Sequence, residues 1–157
     1  MSYDFNADDV FEMAEQIERN GAVFYRQAAA DIADPEAKTF LLDLAAMEDS
    51  HEKTFSAMRK ALSDAEKTPT VFDPQDESAS YLKALADTRV FFEKEIDTTS
   101  MQAILKAAIL AEKDSIVFYL GMKDLVPDTL GQTRLDSIIK EEMSHIKLLS
   151  RRLVATK

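Results

Sequence analysis

The chain repeats itself at an offset of 94 residues. When residues 18–55 are aligned with residues 112–149 without a gap, 11 of the 38 positions are identical, whereas unrelated sequences would share roughly 2 or 3. The identities include Glu18 with Glu112, the Val-Phe-Tyr runs at 23–25 and 117–119, and the Glu-x-Ser-His-x-Lys motifs at 48–53 and 142–147. The sequence therefore predicts one structural unit that is present twice.

The repeated unit is predicted to be a pair of helices. The 157 residues contain only three glycines and four prolines, and such a scarcity of helix breakers is typical of an all-α protein. The breaks fall at Asp34-Pro35, in the polar segment 63–78, at a Thr99–Gln102 capping box with Thr99 as the N-cap, and at Pro127-Asp128. They predict helices at 8–32, 36–62, 100–125 and 128–153, with a shorter helix at 81–92. The expected fold is a single domain over 1–157, a four-helix bundle of two duplicated helical hairpins joined by a long crossover.

Each predicted helix has an apolar stripe that is interrupted at its middle by acidic or imidazole side chains. Apolar residues recur at helical spacing on either side of each interruption. The interrupting residues, all on faces expected to be buried, are Glu18, Glu48, His51, Glu112, Glu142 and His145.

The interrupting residues predict a site for two metal ions. Glu48 and His51 share one side of a helix at i, i+3 spacing, as do Glu142 and His145. Four buried carboxylates would repel one another and take up protons, whereas two divalent cations would balance their charge. One glutamate on each of two helices and Glu-x-x-His on each of the others is the ligand pattern of di-iron and di-manganese carboxylate bundles. The alternative is a duplicated bundle whose site has lost its metal.

Neighbouring polar residues have two interpretations each. Tyr25 and Tyr119 each follow a glutamate of the set by seven residues, so they are either core aromatics or hydroxyls bonded to ligand carboxylates. Glu15, Glu52 and Glu141 are close to the site in sequence but are not repeated in the other half, and we expect them to be solvated or to lie next to the ligands without binding metal.

Composition excludes several other classes. The net charge of −10 disfavours nucleic acid and anionic membranes as partners. The absence of cysteine excludes disulfides, thiolate metal sites and cysteine nucleophiles. No apolar run is long enough for a membrane span, and residues 1–9 lack the pattern of a signal peptide, so a cytoplasmic protein is expected.

The motifs resemble those of the rubrerythrin group of the ferritin-like superfamily, over the whole four-helix region. The resemblance is carried by Ile17-Glu18-x5-Phe24-Tyr25, Met47-Glu48-x-x-His51, Ala111-Glu112-Lys113-Asp114-x3-Phe118-Tyr119 and Lys140-Glu141-Glu142-x-x-His145. It is strongest to the stand-alone ferritin-like di-iron carboxylate proteins. It implies a ferritin-like bundle that binds two iron ions, with manganese or zinc as alternatives. The implied ligands are Glu18, Glu48, His51, Glu112, Glu142 and His145, with Glu48 and Glu142 bridging.

Two departures from full-length rubrerythrins matter. Those proteins carry a rubredoxin domain with an iron held by four cysteines, and this sequence has no cysteine; a separate electron donor is therefore expected. They also carry an additional glutamate three residues after the third-helix ligand, where this chain has Ser115, which calls into question a rubrerythrin-type peroxidase cycle.

Three functions remain open on the sequence. The first is an oxidoreductase that reduces hydrogen peroxide or dioxygen, or oxidises ferrous iron. The second is an iron-binding or storage protein, and the third is a non-redox bundle stabilised by metal. A homodimer or larger homo-oligomer is expected, with Val90, Phe91 and Phe92 either at an interface or packed on their own bundle.

Overall fold

Four long helices form an antiparallel bundle. The computed structural model describes residues 7–62, 97–123 and 131–156, and the helices within them are α1 (Ala7–Asp31), α2 (Pro35–Lys60), α3 (Met101–Lys123) and α4 (Gln132–Ala155). These ranges contain no strand. α1 packs along α2, α3 packs along α4, and α1 also contacts α3. The predicted all-α bundle of two helical hairpins is therefore confirmed.

The helix starts depend on particular side chains. Asp34 caps α2 as predicted, since its carboxylate accepts a hydrogen bond from the Ala37 N–H at 2.8 Å and Pro35 occupies the first turn. The predicted cap of α3 was wrong by one residue. The Ser100 hydroxyl accepts from the Ala103 N–H at 3.1 Å, whereas Thr99 bonds backward to Asp97 through both its hydroxyl and its N–H.

The start of α4 also differs from the prediction. Gly131 precedes the helix with φ of 125°, a backbone conformation that only glycine adopts easily, and α4 begins at Gln132; the predicted start at 128 lies outside the described residues. A Cβ at this position would lie 2.8 Å from the Met58 side chain at the end of α2. Gly131 therefore allows the start of α4 to approach α2 closely.

Two apolar clusters fill the bundle, one toward each end. The first cluster contains Phe11, Phe55, Phe118, Met122 and Leu135, from all four helices. The second contains Phe24, Leu41, Leu44, Leu105 and Leu149, again from all four helices. On each helix the buried acidic or imidazole residues lie between the members of these two clusters, so the polar layer sits at mid-bundle.

α2 ends beside the first cluster and α3 begins beside the second, at opposite ends of the bundle. The predicted helix at 81–92, and with it Val90, Phe91 and Phe92, lies outside the described residues. Within the described ranges, no helix combines the length and apolar character needed to cross a membrane.

Candidate metal centre

The polar layer is built from six buried side chains, at least one from each helix. All six are no more than 2% exposed: Glu18 from α1, Glu48 and His51 from α2, Glu112 from α3, and Glu142 and His145 from α4. Burial of so many ionisable groups is costly unless they are paired or bind metal. The structure thus brings together all six residues that the sequence nominated.

The six residues form two groups that share two members. Ligand atoms of Glu18, Glu48, His51 and Glu142 all lie within 4.8 Å of one another, and so do ligand atoms of Glu48, Glu112, Glu142 and His145. We call these the His51 cluster and the His145 cluster. Because Glu48 and Glu142 belong to both, they have the position that bridging ligands would need.

Both imidazoles present Nδ1 to the interior. Nδ1 of His51 lies 2.7 Å from Glu142, 3.4 Å from Glu18 and 3.5 Å from Glu48. Nδ1 of His145 lies 3.3 Å from Glu142, 3.4 Å from Glu112 and 3.7 Å from Glu48. The two rings are stacked with centroids 5.7 Å apart. Each cluster therefore has one inward nitrogen and three carboxylates.

Two tyrosine hydroxyls connect the halves of the repeat. The Tyr25 hydroxyl donates to Oε1 of Glu112 at 2.6 Å, and the Tyr119 hydroxyl donates to Oε1 of Glu18. Both tyrosines are fully buried. Burial and the adjacent carboxylates raise the pKa of each well above 10, so the hydroxyls keep their protons and act as donors. Each tyrosine thus orients the glutamate of the other half.

Without metal, the carboxylates share protons. Burial and the charges of Glu142, Glu112 and Glu18 raise the pKa of Glu48 well above its ordinary value of 4.5. Burial together with the charge of Glu112 raises the pKa of Glu142 to about 8. Burial acts in the same direction on Glu112, but close contacts with Glu142 and His145 outweigh it and lower that pKa to about 2. These directions favour protonation of Glu48 and Glu142, the two residues common to both clusters.

The histidines gain protons from the same environment. Burial lowers the pKa of His145, but the nearby carboxylates of Glu112 and Glu142 outweigh burial and raise it from 6.5 to about 9. Burial opposes protonation of His51 as well, and the nearby carboxylates of Glu142, Glu18 and Glu48 raise its pKa strongly. The cluster attracts positive charge, whether as protons or as cations.

Buried polar atoms that make no well-formed hydrogen bond show that the residues fit a metal, although Nδ1 of His51 and Oε1 of Glu142 lie 2.7 Å from each other. Five such atoms lie in the two clusters: Oε1 of Glu48, Nδ1 of His51, both carboxylate oxygens of Glu142, and Nδ1 of His145. A buried polar atom without a hydrogen bond carries a free-energy cost of about 1–3 kcal/mol. All five are nitrogen or carboxylate-oxygen donors, which suit iron, manganese or zinc. Divalent cations would give these atoms the partners that the protein does not supply.

The acidic residues expected outside the ligand set behave differently from one another. Glu15 was expected to be solvated or near the site, yet it is 7% exposed and its Oε2 lies 3.1 Å from Nη1 of Arg59, which also binds Asp8. The sequence signal for the Glu15–Arg59 pair is the position of each residue. Glu15 lies one turn before Glu18 on α1, and Arg59 lies one turn beyond Phe55 on α2. Glu52 pairs with Arg19 at 3.0 Å.

Glu141 contacts the site from outside. Its Oε2 lies 2.5 Å from Nε2 of His51, on the opposite side of the ring from the cluster. Ser115 is also buried, at 3% exposure, and its hydroxyl donates to the Ala111 carbonyl at 3.2 Å. Ser115 therefore supplies a hydroxyl bonded to its own helix and no carboxylate.

The comparisons with known proteins agree with this architecture. The family model described as Rubrerythrin matches residues 9–153. A solved structure from Thermotoga maritima, described as that of a candidate ferritin-like diiron-carboxylate protein, matches with a TM-score of 0.73 and 22% identity over 100% of both chains. At that identity the likeness shows the fold. No curated protein gives a significant match to the chain.

Proposed function

Because the chain belongs to the rubrerythrin family and carries two buried glutamate–histidine clusters that share Glu48 and Glu142, we propose that it binds two iron ions and acts as a di-iron oxidoreductase. The observation that supports this most is the set of five buried ligand atoms in those clusters that make no well-formed hydrogen bond. The proposed ligands are Glu18, Glu48 and His51 on one side and Glu112, Glu142 and His145 on the other.

The bundle prepares the ligands in three ways. Tyr25 and Tyr119 hold the outer glutamates by donated hydrogen bonds, so those carboxylates are oriented before metal arrives. The apolar clusters above and below the polar layer exclude water from it. Ser115 adds no carboxylate, so the ligand set consists of the same residues on the two sides of the repeat.

The proposed reaction is reduction of hydrogen peroxide or dioxygen, or oxidation of ferrous iron as substrate. A bound pair of ferrous ions would supply one electron each, which together with two protons is what reduction of one hydrogen peroxide to two water molecules requires. The protein's contribution is to hold the carboxylates and imidazoles in fixed positions. The 157 residues contain no cysteine that could hold a further iron as an electron donor, so the proposal includes a separate donor.

Stopped-flow mixing of iron-loaded, reduced protein with peroxide, and separately with dioxygen, tests the proposal. Wild type should bind two equivalents of iron and be oxidised rapidly by at least one of the two oxidants. Glu48→Gln removes a carboxylate common to both clusters, so oxidation should slow by at least the ~10-fold that follows loss of an outer hydrogen-bond partner. Glu52→Gln, the same change on α2 at a surface ion pair, is the matched control.

The outcomes distinguish the functions. An oxidation rate in Glu48→Gln equal to that of Glu52→Gln would refute the catalytic role. Zinc retained in preference to iron, in protein produced with adequate iron, would instead favour the non-redox bundle. Anomalous scattering at the iron, manganese and zinc edges identifies the metal and its ligands in a single crystal.

A further inference from the structure

The two histidines differ at the nitrogen that faces away from the clusters. Nε2 of His51 lies 2.5 Å from Oε2 of Glu141. The Glu141 side chain is 60% exposed, whereas the His51 side chain is 3% exposed. A carboxylate at the surface of α4 is therefore bonded to a buried imidazole of α2, and through that ring it acts on the His51 cluster.

The equivalent position in the other half is not acidic. At the offset of 94 residues, Glu141 corresponds to Met47, which is 40% exposed on α2. A thioether is only a weak acceptor. Within the part of the chain that the structure describes, the ion-pair contacts of His145 are all made by Nδ1, to Glu48, Glu112 and Glu142. Among the described residues, His145 therefore has no outer carboxylate of the kind that Glu141 provides to His51.

This difference changes how strongly each ring can bind a cation. A carboxylate that accepts from Nε2–H fixes the tautomer with a free lone pair on Nδ1, holds the ring's orientation and raises its basicity as a ligand. The same carboxylate adds a negative charge beside one cluster only. Both effects favour a cation at Nδ1 of His51 over one at Nδ1 of His145.

We propose that Glu141 is a positioning residue that makes the His51 cluster the tighter of the two metal sites, so that divalent metal occupies it first and the His145 cluster second. This rests on the proposed function, since it assumes that both clusters bind metal. The repeat thus supplies two similar sites, and the unrepeated Glu141 determines which of them binds metal first.

Titration of metal-free protein with Co²⁺ tests the order of loading, because Co²⁺ absorbs visible light and shifts nearby proton resonances. Wild type should show two binding steps of different affinity. Glu141→Gln keeps the side-chain shape and removes the charge, and it should raise the dissociation constant of the first step about 10–100-fold. Glu52→Gln, at the neighbour of His51 in sequence, removes a carboxylate that pairs with Arg19 and should leave both steps unchanged.

The reverse substitution tests the same idea by gain. Met47→Glu places a carboxylate at the equivalent position beside His145, and it should tighten the second step until the two affinities converge. An increase in affinity is not expected from a substitution that only disturbs packing.

Proton NMR of the Co²⁺ protein identifies the site. The first equivalent should shift an Nε2–H resonance of His51 that exchanges slowly with water, because Glu141 holds that proton. In Glu141→Gln the exchange should become faster. If the first equivalent shifts the His145 resonances instead, the proposed order is wrong.

The failure of this inference is distinguishable from that of the proposed function. Wild type that binds no Co²⁺ would refute both. Two equivalents bound with the same dissociation constants in wild type and Glu141→Gln would refute the role of Glu141 and leave the metal centre standing.

Discussion

The metal-free protein should lose stability as the pH rises from about 5.5 to 7.5, because the folded bundle keeps protons that the unfolded chain releases. Burial and neighbouring carboxylates raise the pKa of Glu48 above 4.5 and that of Glu142 to about 8. In the unfolded chain both groups are ionised above about pH 5.5. The native state therefore binds more protons in this window, and the free energy of unfolding falls as the pH rises.

The magnitude follows from the number of retained protons. Each one lowers the free energy of unfolding by about 1.4 kcal/mol per pH unit, so Glu142 alone accounts for about 2–3 kcal/mol between pH 5.5 and 7.5. His145, with its pKa raised to about 9, stabilises the fold fully below 6.5 and loses that contribution as the pH rises toward 9, so it acts in the same direction. Glu112, with its pKa lowered to about 2, stabilises the fold above 4.5 and is constant across the window. A loss of this size is a large part of the 5–15 kcal/mol of a typical domain.

Urea unfolding of chelator-treated protein at several pH values, followed by far-ultraviolet circular dichroism, measures the effect. Glu142→Gln removes one titrating group and should flatten the dependence by about 1.4 kcal/mol per pH unit, whereas Glu52→Gln should not change it. Added Co²⁺ should restore stability most at the highest pH, since it binds the ionised carboxylates. A free energy of unfolding that is constant or rises over this range in wild type would refute the buried proton-sharing cluster.

Five further substitutions have defined outcomes in the same urea assay. Tyr25→Phe and Tyr119→Phe each leave a buried carboxylate oxygen without its donor and should each cost about 1.5–3 kcal/mol; a neutral result for both would contradict the hydroxyl–glutamate bonds. Ser100→Ala should cost about 0.5–2 kcal/mol by loss of the α3 cap, whereas Thr99→Ala should cost less, and the reverse order would restore the cap predicted from sequence. Phe55→Ala opens a cavity in the first apolar cluster and should cost about 3–5 kcal/mol, so an effect below ~1 kcal/mol would show that this cluster is loosely packed.

The bundle and the polar layer were predictable because the sequence motifs that specify them occur twice in the chain. A single glutamate on a buried face has several interpretations. Here the glutamate recurs 94 residues later, and Glu-x-x-His follows it by 30 residues in both halves. The simplest expectation was therefore that these side chains meet at the middle of the bundle. The structure places those side chains together. The repeat could not show contacts made by one half alone.

The unrepeated contacts were therefore the ones that sequence reasoning missed or left open. Burial of Glu15 depends on Arg59, whose reach across α1 and α2 is set by three-dimensional packing. Glu141 was separated from the ligand set because Met47 stands at the equivalent position, and its contact with His51 on α2 is seen only in the folded chain. The α3 cap was misassigned because Thr99 and Ser100 are both good caps, and the choice between them depends on Asp97, which bonds Thr99 instead.

The crossed hydroxyls, Tyr25 to Glu112 and Tyr119 to Glu18, bear on the ancestry of the chain. Each hairpin receives the tyrosine hydroxyl that bonds its outer glutamate from the other hairpin. Fusion of the two subunits of a symmetric hairpin dimer would produce this arrangement, since in such a dimer the tyrosine of each subunit would already donate a hydrogen bond to the glutamate of the other. Once fused, the two copies could diverge independently, and Glu141 opposite Met47 is a position where they have done so.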